Sequence, residues 1–253
     1  MRRSDLGMIF VAGALALAAP AHADVVATGL IGYWAGNGSA VDSSPTGNNG
    51  YFTGNYRGGR WGQAFDLRSG KVHIADNPAY DLQQYPDWTI GFWMTGPGTY
   101  IGQDIGPGET PKWFIDYGYG GNFYELHVND YDADPREFLA TSAQTAPRGW
   151  THLALVRHGS ALTFFVNGTS IDTLNYGGAI PDPAADLVFG DAEPCCQYAG
   201  AIDEVTIYNR ALSATEVGVL ARPPLPEPGV WALMITGFGW VGAMLRRRRR
   251  ATA

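Results

Sequence analysis

Asp203 and Glu204 are the residues of this chain best placed to do chemistry. They stand side by side in the strand-like run Gly-Ala-Ile-Asp-Glu-Val-Thr-Ile-Tyr at 200–208. Alternation predicts Ile202, Glu204, Thr206 and Tyr208 on one face and Asp203, Val205 and Ile207 on the other. If one face is core, at least one carboxylate is pressed toward it. A buried carboxylate must be paired, metal-bound or neutralised. Two readings stand: a salt bridge or backbone-bonded Asp, or an oxygen ligand to a hard cation such as calcium. Acid–base chemistry on a sugar would need two carboxyls about 5 Å apart. The nearest candidates, Asp116 and Glu125, lie on separate predicted strands with no supporting motif. The acidic run at 130–134 has the alternate spacing that opens a helix-loop-helix calcium loop. It lacks the required glycine and distal Glu and reads as a solvated turn. Serine nucleophile elbows, phosphate-binding glycine loops and zinc spacings are missing, so no enzyme is expected.

Other side chains suggest binding rather than reaction. Trp113, Tyr117, Tyr119 and Tyr124 gather beside Gly-rich loops and could stack on sugar rings; the alternative is that they pack a core. His73, between Val72 and Ile74, reads as a structural strand histidine. Cys195 and Cys196 are the only cysteines. Neighbouring Cα atoms sit at about 3.8 Å, below the usual disulfide range, so a vicinal bridge would be strained and easily reduced. It is preferred over an intermolecular bridge or two free thiols.

The elements that would position these groups are strands. Candidates lie at 28–34, 51–53, 63–67, 72–74, 88–94, 112–117, 123–128, 150–157, 162–166, 169–174 and 186–190. Loops separate them, one at 96–111 and another at 37–50 whose Asn, Asp, Gly and Ser supply turns and oxygen ligands alike. Asn167-Gly168 is a strong hairpin turn. After the 200–208 strand, Ser213 and Glu216 form a capping box, with Leu212 and Val217 placed as a hydrophobic staple, and Pro223-Pro224 stops the short helix. Long helical periods are absent, so the class is all-β.

Both ends have a different composition. Arg2-Arg3, an apolar run and Ala21-His22-Ala23 have the order of a secretory signal peptide over residues 1–23. A domain over 24–222 is followed by a linker at 223–228 containing Pro226-Glu227-Pro228. An apolar helix at 229–245 comes next, then a basic tail at 246–253 that would stay cytoplasmic. Between Asp24 and Leu225 stand 10 Lys and Arg against 22 Asp and Glu, a net charge of −12. Such an acidic surface argues against a nucleic-acid partner.

The C-terminal order of Pro-Glu-Pro, apolar span and arginine cluster resembles the PEP-CTERM sorting signal of Gram-negative bacteria. That resemblance implies export across the inner membrane and a transient C-terminal membrane anchor. An exosortase would then cut the chain and release it to the envelope surface or extracellular matrix, in the company of extracellular polysaccharide. The core resembles the LamG-like, laminin-G type 3 group of concanavalin A-like jelly rolls. The matching pieces are Gly-Leu-Ile-Gly-Tyr-Trp at 29–34, Asp-Ser-Ser at 42–44, Gly-Asn-Asn-Gly at 47–50 and Gly-Gln-Ala-Phe at 62–65. Further on come Trp-Thr-Ile-Gly-Phe-Trp at 88–93, Trp-Thr-His-Leu-Ala-Leu-Val at 150–156, Phe-Val-Asn-Gly at 165–168, and 200–213. This implies a two-sheet antiparallel jelly-roll sandwich. It also implies one structural calcium ion held by Asp203, with Asn37 standing where the family often has an acid and Asp42 as a further oxygen donor. The same-strand Glu-x-Asp-x-Glu of related glucanases is missing. The expected function is a non-catalytic, lectin-like module for polysaccharide or cell-surface ligands. The alternatives are a structural or protein-interaction jelly roll with no glycan site and, third, a divergent glycosidase.

Overall fold

A computed structural model describes residues 25–104, 111–118, 121–129, 137–142, 144, 148–190 and 200–223. Among them, strands form two antiparallel sheets. The eight-stranded sheet contains β1 (Leu30–Trp34), β3 (Tyr56–Gly58), β4 (Gln63–Asp66), β6 (Asp87–Thr95), β11 (Thr151–His158), β12 (Ala161–Val166), β13 (Thr169–Asn175) and β15 (Ala201–Tyr208). Its order is β13-β12-β11-β6-β15-β4-β3, and β1 also pairs with β15. The seven-stranded sheet contains β2 (Tyr51–Phe52), β5 (Val72–Ile74), β7 (Gly98–Asp104), β8 (Lys112–Tyr117), β9 (Tyr124–Asn129), β10 (Glu137–Ala140) and β14 (Leu187–Phe189). Its order is β10-β9-β8-β7-β14-β5-β2. The all-β class expected from the pattern and the two-sheet sandwich implied by the family resemblance are therefore present.

Alternation builds the core. Ile90, Phe92, Leu153, Leu155 and Phe164 of one sheet share a buried cluster with Ile101, Trp113, Ile115, Leu126 and Phe189 of the other. Each such side chain contributes roughly 2–3 kcal/mol through burial. A second cluster covers the outer face of the eight-stranded sheet. There Tyr33, Ala154, Val156, Phe165 and Tyr208 meet Leu212, Val217 and Leu220 around the only α-helix described, α1 (Ala214–Leu220). Ser213 and Glu216 cap α1 reciprocally, and Arg210 Nη2 lies 2.6 Å from Glu216 Oε1. The Asn167-Gly168 turn has positive φ at both residues, 50° and 80°, as a tight hairpin requires.

Three strands depart from the sequence pattern. β3 and β10 were not foreseen, and β7 runs through the stretch read as loop. Gly102 explains part of this, because a Cβ there would collide with the Trp113 carbonyl oxygen and with Phe114. The glycine that weakens the strand signal is what lets β7 and β8 approach. The other departure is in β15. Its pairing with β6 shifts between Asp203 and Thr206, and Glu204 has φ 53°, which marks a bulge. Ile202, Val205 and Ile207 consequently share the inter-sheet core while Tyr208 joins the outer cluster. Strict alternation had put Ile202 and Tyr208 on one face; the extra bulge residue resets the phase.

Candidate functional site

The bulge places both of its carboxylates out of water, with Asp203 0 % and Glu204 3 % exposed. Asp203 Oδ2 accepts the backbone N–H groups of Arg60 at 2.7 Å and Trp61 at 3.4 Å, in the turn between β3 and β4. Gly59 is required there, since a Cβ would come 2.6 Å from Asp203 Oδ2. The Tyr33 hydroxyl donates to Glu204 Oε2 at 2.5 Å. Burial pushes the Asp203 carboxyl up to about 8, and the neighbouring Glu204 adds to the rise. Next to it on β6, Trp93 carries the Arg60 guanidinium 4.7 Å above its ring and donates its Nε1–H to Leu220 at the end of α1. His152, edge-on to Trp93, is held neutral, its imidazole pushed down to about 3 by burial. This constellation ties a turn, a strand and the helix end together.

Asn37, Asp42 and Asp203, the side chains the family resemblance offers for calcium, are engaged differently. Asn37 Oδ1 accepts the Gln63 N–H at 2.7 Å, so Asn37 and Asp203 secure the same turn through its amides. Asp42 is the hub of the 42–48 loop: it accepts the N–H groups of Tyr33, Ser44 and Asn48 and the hydroxyls of Ser44 and Thr46. Donor hydrogens occupy the lone pairs a cation would need. Only Asp203 Oδ1 is buried without a hydrogen-bond partner. The three residues do not fit a shared calcium ion. Among the described residues, the one trio of acidic groups with ligand atoms within 4.8 Å is Asp76, Asp81 and Asp182, at the surface.

The proposed stacking aromatics are a correction. Trp113, Tyr117 and Tyr124 are 1 %, 3 % and 1 % exposed and belong to the inter-sheet core. The Trp113 Nε1–H donates to Gln103 inside that core, and the rings of Tyr117 and Tyr124 lie 4.7 Å apart. A sugar cannot stack on rings that the opposite sheet covers. Tyr119, Cys195, Cys196 and Pro226-Glu227-Pro228 lie outside the described residues, as do residues 1–23 and the apolar stretch 229–245. No helix among the described residues is long and apolar enough to cross a membrane.

Burying Trp113 and Tyr124 turns their strand neighbours onto the outer face of the seven-stranded sheet. Asp116 of β8 and Glu125 of β9 are directly opposite each other in the antiparallel register. Such pairs have Cβ atoms about 5 Å apart. The structure thus brings together the two carboxyls that the sequence leaves on separate strands. Both are sealed, at 2 % and 5 % exposure, and each has one oxygen without a partner. Burial, and then the charge of Glu125, pushes Asp116 up to about 8; burial also raises Glu125.

One row on the same face crosses the sheet from its edge. It runs Tyr51, His73, Val188, Gly102, Phe114, His127 in register from β2 to β9. Its inner end is buried, with Phe114 and His127 rings 4.3 Å apart. Its outer end is open. Tyr51 is 60 % exposed and stacks on His73 at 5.0 Å and 9°, and His73 Nδ1 is 3.6 Å from Asp186 Oδ2. Sequence reasoning missed Tyr51 because β2 is two residues long, and no local pattern announces that it pairs with His73.

A two-layer antiparallel sandwich with a capped terminal helix and loop-clamping Asp residues defines a concanavalin A-like module. The comparisons agree: the Laminin_G_3 family, described as the concanavalin A-like lectin/glucanases superfamily, matches residues 66–218, and the chain belongs to it. No curated protein matches the sequence. Among solved structures, domain 4 of AbnA, an extracellular arabinanase of Geobacillus stearothermophilus crystallised with arabinotriose, is similar with a TM-score of 0.56. It is 21 % identical over 76 % of this chain and 98 % of that one. The binding domain of Paraclostridial Mosquitocidal Protein 1 has a TM-score of 0.58 at 17 % identity, over 76 % of this chain and 52 % of that one. The receptor-binding domain of a botulinum neurotoxin C/D mosaic has 0.57 at 12 %, over 78 % and 51 %. The chain spans about half the length of these toxin domains. At such identities the likeness is one of fold.

Proposed function

We propose that this chain is a non-catalytic, lectin-like binding module for polysaccharide or cell-surface ligands. In this reading it is exported and sorted to the envelope surface by an exosortase-type enzyme acting at Pro226-Glu227-Pro228. The observation that carries the non-catalytic part is the sealing of Asp116 and Glu125. They are the two carboxyls that strand register sets directly opposite each other, and a glycosidic bond cannot reach groups 2 % and 5 % exposed. Family membership and the binding roles of the similar structures, one of them an arabinotriose complex, support the binding part. The reading is tested by passing the full chain over polysaccharide from the producing cells while measuring released reducing ends. Retention without release is expected. Release of reducing ends would make it a hydrolase, and absence of retention would remove the polysaccharide as ligand.

A further inference from the structure

Among the described residues, Tyr51 is the one aromatic side chain among the exposed large hydrophobics. It sits on β2, the edge strand of its sheet, so no described strand covers the ring on its outward side. On the inward side the ring lies flat on His73, at 5.0 Å and 9°. A side chain stacked in this way is held in one orientation, so little rotamer entropy remains to be lost when a ligand meets it. His73 is tied in turn to Asp186, whose side chain is 43 % exposed. The arrangement is a fixed, amphipathic ring face with an accessible carboxylate two strands away, since β5 lies between β2 and β14.

We propose that Tyr51, backed by His73, is a stacking site for one neutral sugar ring of a glycan; this rests on the lectin-like reading above. A sugar ring presents axial C–H groups on one face and hydroxyls around its rim. The C–H face matches the apolar, electron-rich face of tyrosine. Polyanionic glycans are disfavoured, because the region between the two end signals carries a net charge of −12. A flat hydrophobic partner protein would instead need a contiguous apolar patch, whereas the row passes from Tyr51 directly to the polar His73.

The test is affinity electrophoresis of the full chain through gels containing linear arabinan, dextran or polygalacturonate. Retardation by at least one of the two neutral polymers is expected, with at least a tenfold loss of affinity in Tyr51→Ala. Tyr51→Trp should retain binding, because it keeps a stacking face. The melting temperature of Tyr51→Ala should match that of the parent chain, which separates a lost site from a lost fold. Undiminished retardation of Tyr51→Ala would overturn this site while leaving the binding function in place. Retardation by polygalacturonate alone would overturn the neutral class. No retardation in any gel would overturn the site together with the polysaccharide reading.

Discussion

Each sheet hides a pair of carboxyls, and the two pairs are treated in opposite ways. Asp203 and Glu204 are neighbours in sequence, brought together by a bulge. Asp203 grips two backbone amides of the β3–β4 turn and Glu204 receives the Tyr33 hydroxyl. Asp116 and Glu125 are neighbours only through strand register, and each keeps an unpartnered oxygen, as Asp203 does. Burial raises Asp203 and Asp116 alike to about 8. The difference therefore lies in what the oxygens hold. The first pair fastens a loop to the last strand, and its burial is offset by hydrogen bonds. The second fastens nothing described, and burial favours the protonated form of both its carboxyls.

The largest expected effect comes from the fastening pair. Asp203→Ala should cost roughly 3–4 kcal/mol, since it strands the Arg60 and Trp61 amides in a buried turn. Chemical denaturation would measure the loss, and it should be the same with calcium or with chelator. A calcium-dependent rise in melting temperature that Asp203→Ala abolishes would make Asp203 a metal ligand after all.

Next comes the loose pair. An unfolded Asp ionises near 4, whereas folded Asp116 holds its proton to about 8. Between those values the folded state binds the extra proton, so stability is complete below pH 4 and is lost as pH rises through 8. Asp116→Asn should remove roughly 2 kcal/mol of the decline between pH 5 and pH 8. An unchanged slope in thermal melts across that range would mean that Asp116 is ionised in the fold. The smallest effect belongs to the α1 cap, which touches neither pair. Ser213→Ala should cost about 1 kcal/mol at any pH in the same denaturation assay.

The sequence made regular, local features legible. Asn167-Gly168 announces the β12–β13 hairpin, and Ser213 with Glu216 announces α1, because a few adjacent residues determine each. The burial of the supposed binding aromatics was also legible in principle. Trp113, Ile115 and Tyr117 alternate with Lys112, Phe114 and Asp116, and Tyr124, Leu126 and Val128 alternate with Glu125 and His127. The apolar phase names the core face and puts the three rings on it. Long-range register was not legible. Asp116 meets Glu125, and Tyr51 meets His73, through strand pairings that no local pattern encodes. The bulge at Glu204 likewise lies in a stretch whose residues read as an ordinary strand.

The position of β15 bears on the order in which this chain can fold. It is the last of the described strands in sequence, yet it lies between β6 on one side and β4 with β1 on the other. Leu30 waits for Tyr208, a partner 178 positions downstream. A chain threaded N-terminus first through a narrow pore therefore emerges as two half-sheets with an open seam. The seam closes only when β15 arrives, and pairing across so many intervening residues is the kind of long-range contact that slows folding.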